Sequence, residues 1–525
     1  MEQLNNVLPT ALEENPVAAV NADNLKKNSP LLNKVREKFG VFAGLSLIFG
    51  CAFAFLFYKA GIGINYFIFS VVMVLLLMLT MKKLDIPIKK ATSAYYAGAI
   101  LLGLSSFLTS SIILQFLNTI GIMLLLDLSL LHQFHEDSRW DFLNFFGRMI
   151  GLFFLSIGAI GGPFMDGLNY FKNTKLLKND KILNTLLGVI IAIPLLFIIV
   201  ALLSSADLLF GSMTSSIYSF LFSSDIFYVV IMILFGFFAC YCIICASVRR
   251  AGAGDEPKEW KKADPEIAVT VFSLLSLVYI IFCGIQVMYL FTNGLFVLPE
   301  EFTFAEYARR GFFELLTVTV INLVLMLIGT TFFKESKILR FMLSVMTAGT
   351  FIMIASATYR MLLYIGAYNL TFLRVFVLLF LLIDTLVLGG VIVYVYNKKF
   401  PLFGYCVAVV SICYLVFSFA RPDYFIASYH VNHEATLDTE DVEYLTRELS
   451  YDAAPVLLPV LSDKNSITDS NTSIRNGYDS NTVGVESSIS EYYRGINASS
   501  NRRGIRDFNL SIHTAAKYAK QYMVK

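Results

Sequence analysis

The chain has 525 residues, of which 57% are hydrophobic and only 15% charged, with a mean hydropathy of +0.67. Soluble domains are nearer half apolar and a quarter charged, so this composition excludes an ordinary soluble protein. The net charge of +2 gives no indication of a nucleic-acid partner. The seven cysteines lie within apolar blocks, which argues against a disulfide framework.

A polar arm, residues 1–39, comes first and carries several lysines and arginines. Long apolar blocks follow, and each matches the roughly 20 residues that a helix needs to cross a hydrocarbon core of about 30 Å. Backbone groups in lipid must be hydrogen-bonded within their own segment, so these blocks are predicted to be helices. The eleven predicted spans are 40–58, 62–81, 93–111, 113–131, 184–203, 226–247, 268–291, 312–332, 341–365, 371–396 and 400–419.

One further segment, 142–161, is ambiguous because it contains Arg148 and ends in Gly161-Gly162-Pro163. If it lies at the membrane interface, the basic arm and the other Lys/Arg-rich loops share one side, while loop 204–225 on the other side has no Lys or Arg. If it crosses, this bias reverses. The positive-inside rule therefore predicts an interfacial segment, a cytoplasmic N-terminus and an extracytoplasmic C-terminus in the cell membrane.

The tail, residues 420–525, differs in composition from the apolar blocks. Asp438–Leu449 is compatible with a short amphipathic helix, and Asp507–Met523 also has a helical pattern. Residues 462–503 are rich in Ser, Asn, Asp and Gly, which predicts disorder. The sequence therefore predicts an all-α polytopic membrane domain over 40–419, followed by a mostly disordered tail.

The run Glu306–Glu314 enters the eighth predicted span from the outer side. On a helix, Tyr307, Arg310 and Glu314 share one face because they are three, four and seven residues apart. Such a face would bind a zwitterionic or anionic group. The alternative is that the arginines snorkel to lipid headgroups and Glu314 pairs for structural reasons.

Asp384 lies near the middle of the tenth predicted span, where a charge costs about 2.5–3.5 kcal/mol on insertion scales. It needs a partner, a cavity or a proton, and Arg360, Tyr364 and Arg374 are its candidate partners. A proton or ion relay, a ligand contact and a buried ion pair all remain open. Asp207 follows Ser204-Ser205 at a helix end, where it would coordinate a cation or simply satisfy the terminus.

No residue is assigned a catalytic role, and the sequence gives no sign of a cofactor or metal. Cys240-x-Cys242-x-x-Cys245 lies within a span, and His430-x-x-His433-Glu434 does not have the order of a zincin motif. There is no Walker A loop, Rossmann fingerprint or nucleophile elbow.

Several blocks resemble a known family when taken in chain order: Ala192–Asp207, Glu306–Glu314, Arg360-Met361 with Tyr364, Arg421–Ala427, Asp441–Leu449, Asp452–Pro455 and Phe508–Ser511. They are similar to an uncharacterised bacterial membrane family, domain of unknown function 4173, close to the 4153 group. Arg421 and His430 stand where that family has Asn. The resemblance implies a bacterial cell-membrane protein but no activity.

Two functions from different classes are compatible with these features. The leading hypothesis is a non-enzymatic protein that binds or moves a small-molecule or lipid-like ligand, with membrane lipids around it. The alternative is a signalling or assembly subunit whose outer tail contacts a protein partner. A membrane-embedded transferase is a weaker third reading, because clustered acidic or His residues are missing from any single outer loop.

Overall fold

The computed structural model describes residues 29–136, 140, 142–173, scattered positions within 185–212, 225–249, 263–291, 312–434, 436–462 and 480–523. Within these ranges the regular structure is helical apart from one isolated bridge between Ala263 and Phe333. In the described part of the chain, ten helices are long and apolar enough to cross a membrane. They are α2 (Phe39–Phe57), α3 (Ile64–Leu84), α4 (Lys90–Leu108), α5 (Ile112–Phe134), α8 (Asp225–Arg249), α9 (Pro265–Phe291), α10 (Phe312–Phe332), α11 (Lys337–Tyr368), α12 (Phe372–Tyr396) and α13 (Leu402–Phe419).

These ten helices confirm the prediction of an all-α polytopic membrane protein and coincide with ten of the eleven predicted spans. The remaining predicted span, 184–203, lies mostly outside the described residues. Large apolar side chains remain exposed along the helices, such as Ile112 at 80% and Phe116 at 63%. A soluble protein would bury such a surface, whereas lipid solvates it.

One end of the bundle is basic. There the short helix α1 (Pro30–Glu37) packs against the end of α3, and Lys34 Nζ lies 2.5 Å from Asp85 Oδ2. Lys89 Nζ donates to the carbonyl oxygens of His132 and His135 at 2.6 and 2.7 Å. We call this the basic end, and it also carries the turns that connect α10 to α11 and α12 to α13.

Helices α6 (Phe142–Gly158) and α7 (Gly162–Asn173) form a pair bent by 56°. Phe145 in α6 stacks on Phe403 at 3.9 Å between ring centroids, near the start of α13. In α7, Asp166 Oδ1 lies 2.9 Å from Arg36 Nε of α1. Both halves of the pair therefore contact the basic end.

The chain changes ends between α7 and α8. Helix α7 contacts α1 at the basic end, whereas α8 begins at Asp225, whose carboxylate lies 2.7 Å from Lys59 Nζ in the loop between α2 and α3. That loop belongs to the opposite end of the bundle. The predicted span 184–203 lies between α7 and α8 in the sequence.

The tail folds into helices that pack on the end opposite the basic one. These are α14 (Pro422–His433), α15 (Thr439–Arg447), a 3-10 turn (Tyr451–Ala453), α16 (Ala454–Leu461), α17 (Ser480–Asn501) and α18 (Leu510–Met523). Their buried apolar residues, including Ile426, Leu445 and Leu457, belong to the same core cluster as α9–α13. The tail and this part of the bundle thus share one core.

The predicted disorder over 462–503 is wrong for Ser480–Asn501, which forms α17. Val485, Ile489, Tyr492 and Ile496 are four, three and four residues apart, so they form one apolar stripe. This stripe packs into the core shared with α15 and α18. The Ser- and Asn-rich composition concealed the stripe, because disorder was predicted from composition rather than from spacing.

Candidate functional site

The predicted site residues fall into three groups. Tyr307 and Arg310 lie outside the described residues. Glu314 is exposed in the first turn of α10. The other predicted residues are in the described part of the chain, and four of them occupy the facing helices α11 and α12.

Arg374 and Tyr364 meet at the end of the bundle that carries the tail. The Arg374 guanidinium stacks over the Tyr364 ring, 4.2 Å from its centroid. Its Nη1 donates to the carbonyl oxygens of Tyr368 and Asn369, which terminate α11. The last carbonyls of a helix have no partner within the helix, so Arg374 caps α11 from the neighbouring helix.

A cleft of about 400 Å³ opens beside this pair. Its lining includes Tyr364 and Arg374, and its walls are mostly apolar, formed by Phe312, Phe313, Met361, Leu373 and Val377. The volume falls in the range typical of small-ligand sites, which are apolar with few polar groups. Within the described residues, Nε and Nη2 of Arg374 donate to no protein acceptor, so they retain three N–H groups for an anion.

Arg360 lies one turn before Tyr364 and is buried. Its Nη2 donates to Gln286 Oε1 at 3.1 Å, and Ser356 Oγ donates to the same oxygen at 2.7 Å. Gln286, on α9, was not predicted as a site residue. It would have been recognisable as a strong hydrogen-bonding group in the middle of an apolar block.

Asp384 is 4% exposed and lies in the buried face of α12. Neither carboxylate oxygen accepts a hydrogen bond from the described residues. The candidate partners Arg360, Tyr364 and Arg374 make the other contacts given above. Of the alternatives left open for Asp384, an ion pair with one of these three residues is not present in the conformation described.

Asp207 makes a local contact. Its Oδ1 accepts from the backbone N–H of Phe210 at 2.7 Å, and its side chain is exposed. This is the bond by which an aspartate caps a following helical turn. The contact supports the structural alternative for Asp207.

The tail holds the turn between α11 and α12, next to the cleft. Tyr444 OH accepts from the backbone N–H of Phe372 at 3.1 Å. Asn369 Nδ2 donates to Glu434. His430 Nε2 lies 2.8 Å from the carbonyl oxygen of Leu370, and its Nδ1 lies 3.3 Å from Asp441 Oδ1. The turn whose carbonyls bind Arg374 is thus fixed by tail residues.

The His430 contacts predict a pH dependence. Burial disfavours the imidazolium, but Asp441 and the Leu370 carbonyl outweigh it, so the pKa of His430 is raised above its ordinary value. Because the folded-state pKa is the higher one, the protonated contact stabilises the fold below about pH 6.5 and is lost as pH rises through the folded-state pKa. The thermal midpoint of the wild type should decrease as the pH increases through this range, and the decrease should be smaller in His430→Gln. Equal pH profiles would contradict the prediction.

Asp441 sets the lower limit of this window. The close approach of the His430 imidazole lowers the pKa of Asp441, so the contribution of Asp441 to stability is present above about pH 3.9 and is lost as pH falls through the folded-state pKa. Asp441→Asn should therefore also reduce the pH dependence near neutrality. Glu443→Ala, in the same helix but half-exposed, is the matched control.

A second tail contact centres on Asp452, which is completely buried. Its carboxylate accepts from Thr109 Oγ1 at 2.6 Å, from Ser110 N and Oγ at 2.7 Å each, and from Ser511 Oγ. Arg421 Nε lies 3.8 Å away. Asp452 therefore joins the turn between α4 and α5 to α18. Asp452 was not predicted as a site residue, although an acid directly before the apolar run Ala453–Leu458 was a usable signal.

In the described part of the chain, no three His, Cys, Asp or Glu side chains come together in a group that could hold a metal ion. All seven cysteines are free. The arrangement offers an apolar cleft with one guanidinium, a tail fixed beside the cleft, and a buried carboxyl group deeper in the same helix.

Comparison with known proteins places the chain in a family without assigning an activity. No curated protein matches the sequence. No solved structure matches it either. A family model described as "Domain of unknown function (DUF4153)" matches residues 96–460, which is more than half of the chain. The resemblance to number 4173 is thereby corrected to its neighbour, and the protein belongs to the DUF4153 family of domains of unknown function.

Proposed function

We propose that this membrane protein binds an anionic, lipid-like ligand in the cleft between α10, α11 and α12. The observation that carries the proposal is Arg374, whose guanidinium is held by Tyr364 and two backbone carbonyls at an apolar cleft. A guanidinium held in this way presents a planar set of donors that suits a phosphate or carboxylate.

The apolar walls favour a ligand with a hydrocarbon part. Phe312, Phe313 and Leu373 would contact acyl chains, while the headgroup phosphate would lie against Arg374. The membrane supplies such molecules at high local concentration. A cell-membrane location, with a cytoplasmic N-terminus and the tail outside, is part of the same proposal and follows from the basic arm and loops.

Arg374→Ala should weaken binding of an anionic phospholipid by about tenfold or more, because one charge-assisted hydrogen bond contributes about 1.5–3 kcal/mol. Native mass spectrometry of the full chain, titrated with phosphatidylglycerol or phosphatidylcholine, measures the loss. Arg374→Lys, which keeps the charge but not the planar fork, should lie in between. Arg340→Ala is the control, because Arg340 lies at the start of α11 and pairs with Glu335.

Retention of the phosphatidylglycerol adduct in a folded Arg374→Ala protein would refute the proposal. Equal binding of both lipids by the wild type would refute the anionic headgroup. A thermal midpoint recorded for every variant separates lost binding from lost folding, since Arg374 also caps α11.

A signalling or assembly function through the tail is the second candidate. It is favoured by the folded tail, which contacts the turns after α2, α4 and α11 rather than extending freely. Co-purification of one protein with the wild type, but not with a variant altered on the exposed face of α17, would support it.

A further inference from the structure

Asp384 occupies the middle of a span that also forms the cleft. It lies 12 residues from each end of α12, Phe372 and Tyr396, or roughly 18 Å of helix in either direction. Val377, Leu381, Asp384 and Leu388 form the buried stripe of this helix. Val377 lines the cleft, so Asp384 lies two turns deeper on the same face.

Nothing in the described surroundings compensates a negative charge at Asp384. Neither oxygen receives a hydrogen bond. The hydroxyl of Thr319, on the adjacent helix α10, lies close enough to influence the carboxyl group, but it donates to the Leu316 carbonyl at 2.9 Å. A carboxylate held this way would lose its hydration without gaining donors, which strongly favours the neutral acid.

The charged and titratable side chains of the helices packed on α12 do not change this conclusion. Arg360 donates to Gln286, and Arg374 stacks on Tyr364 and caps α11. Glu314 of α10 is exposed at the tail end. Tyr405 of α13 donates to the Leu386 carbonyl at 2.9 Å, while Cys406 is buried and apolar in character. In α14, Asp423 and His430 contact Ser450 and Leu370.

Polar groups do lie nearby on the neighbouring helices. Asn322 is one turn from Thr319 on α10, accepts from Tyr279 OH at 2.6 Å and donates to Thr350 Oγ1 at 3.0 Å. All of these groups are uncharged hydrogen-bonding groups, which suit a neutral acid but do not neutralise an anion.

We propose that Asp384 is a proton-binding site within the membrane and that proton binding there is linked to ligand binding in the cleft. The acid form removes the uncompensated charge. Deprotonation would draw water or a cation into the interface between α10 and α12. This would displace the buried face of α12, including Val377, which lines the cleft. The linkage rests on the proposed lipid binding, whereas proton binding at Asp384 does not.

Dicyclohexylcarbodiimide tests the proton site, because this apolar reagent modifies protonated carboxylic acids in apolar surroundings. The full chain in phosphatidylglycerol nanodiscs is treated over a range of pH, digested and mapped by mass spectrometry. We expect an adduct on Asp384 that decreases as pH rises and is lost in Asp384→Asn. Glu314→Gln, an equal change at an exposed carboxyl of the same bundle, should leave the Asp384 adduct unchanged.

Infrared difference spectra between wild type and Asp384→Asn provide a second measurement, since a protonated Asp384 gives a carbonyl band that the variant lacks. If Asp384 is unmodified at every pH and this band is also absent, the proposal is overturned. That band without an adduct would support the site and show that the reagent cannot reach it. An adduct that does not vary with pH would mean that the proton is never released, and it would overturn the linkage.

Phosphatidylglycerol binding, measured by native mass spectrometry at each pH, tests the linkage separately. We expect the affinity of the wild type for phosphatidylglycerol to change at least severalfold over the pH range in which the Asp384 adduct decreases. Asp384→Asn should remove this change. Affinity that does not vary with pH would overturn the linkage. If wild type binds no lipid but Asp384 is still modified, the proposed function fails and the proton site stands.

Discussion

Replacing Gly50 by alanine should separate α2 from α8 and lower the thermal midpoint of the protein in detergent. A Cβ at Gly50 would meet the carbonyl oxygen of Ile233 well inside van der Waals contact and would lie 3.0 Å from Phe237 N. A Cβ at Gly236 would similarly lie 2.7 Å from Gly50 Cα. The clash is with backbone, so no rotamer change relieves it. The cost should reach the upper part of the 1–3 kcal/mol that is typical of overpacking, or about 3 kcal/mol.

Small residues make this crossing possible. Ser46, Gly50 and Ala54 are buried at four-residue spacing on α2, and such a face lets two membrane helices approach closely. Gly44→Ala is the matched control, because a Cβ there meets nothing within 4 Å. It should leave the midpoint unchanged or slightly raised, since alanine favours a helix over glycine. Similar thermal midpoints for Gly50→Ala and Gly44→Ala would show that α2 and α8 can move apart without loss of stability.

The spans were predictable because hydropathy depends on local composition. A block such as Phe372–Tyr396 must be helical in lipid whatever its neighbours are. The close approach of Gly50 to Gly236 was not predictable, because it depends on which helices meet. The fold of Ser480–Asn501 was also missed: its apolar stripe is stabilised only by helices far away in the sequence.

For the candidate site, the sequence could indicate which residues share a helix face but not which contacts they make. A four-residue spacing placed Arg360 and Tyr364 on one face, and the apolar context showed that Asp384 is buried. The acceptors that bind the arginines are backbone carbonyls and Gln286, which no charge-matching argument selects. Arg360 and Arg374 were candidate partners of Asp384, but their hydrogen bonds go to these neutral acceptors instead.

The tail and the cleft are connected through one short turn. Residues 369–372 provide a carbonyl that holds Arg374, and they also contact His430, Glu434 and Tyr444 of the tail. A displacement of the tail would therefore change the position of the guanidinium that we propose binds the headgroup. This connection gives the ligand-binding and signalling hypotheses a common physical element, since a tail partner and a lipid would act on the same turn.

Replacing Asp452 by alanine should release the tail from the turn between α4 and α5. The change removes a completely buried carboxylate that is the acceptor for Thr109, Ser110 and Ser511. Loss of one member of such a buried charged network costs about 3–5 kcal/mol, because the remaining donors are left unsatisfied. We expect a lower thermal midpoint and faster hydrogen exchange at the Ser110 amide, which donates directly to Asp452.

The local release of the tail must be distinguished from a general loss of stability. Asp452→Asn keeps the size and one acceptor oxygen, so the Ser110 amide should exchange at an intermediate rate. Glu443→Ala is the control in the same tail: it removes an ion pair with Arg447 whose side chains are about half-exposed. Such a pair contributes about 0.5 kcal/mol, and exchange at Ser110 should stay at the wild-type rate. If Asp452→Ala also exchanged at that rate, the tail would be held mainly by other contacts, of which the strongest candidate is Asp507, an acceptor for the backbone N–H groups of Gly61 and Gly504.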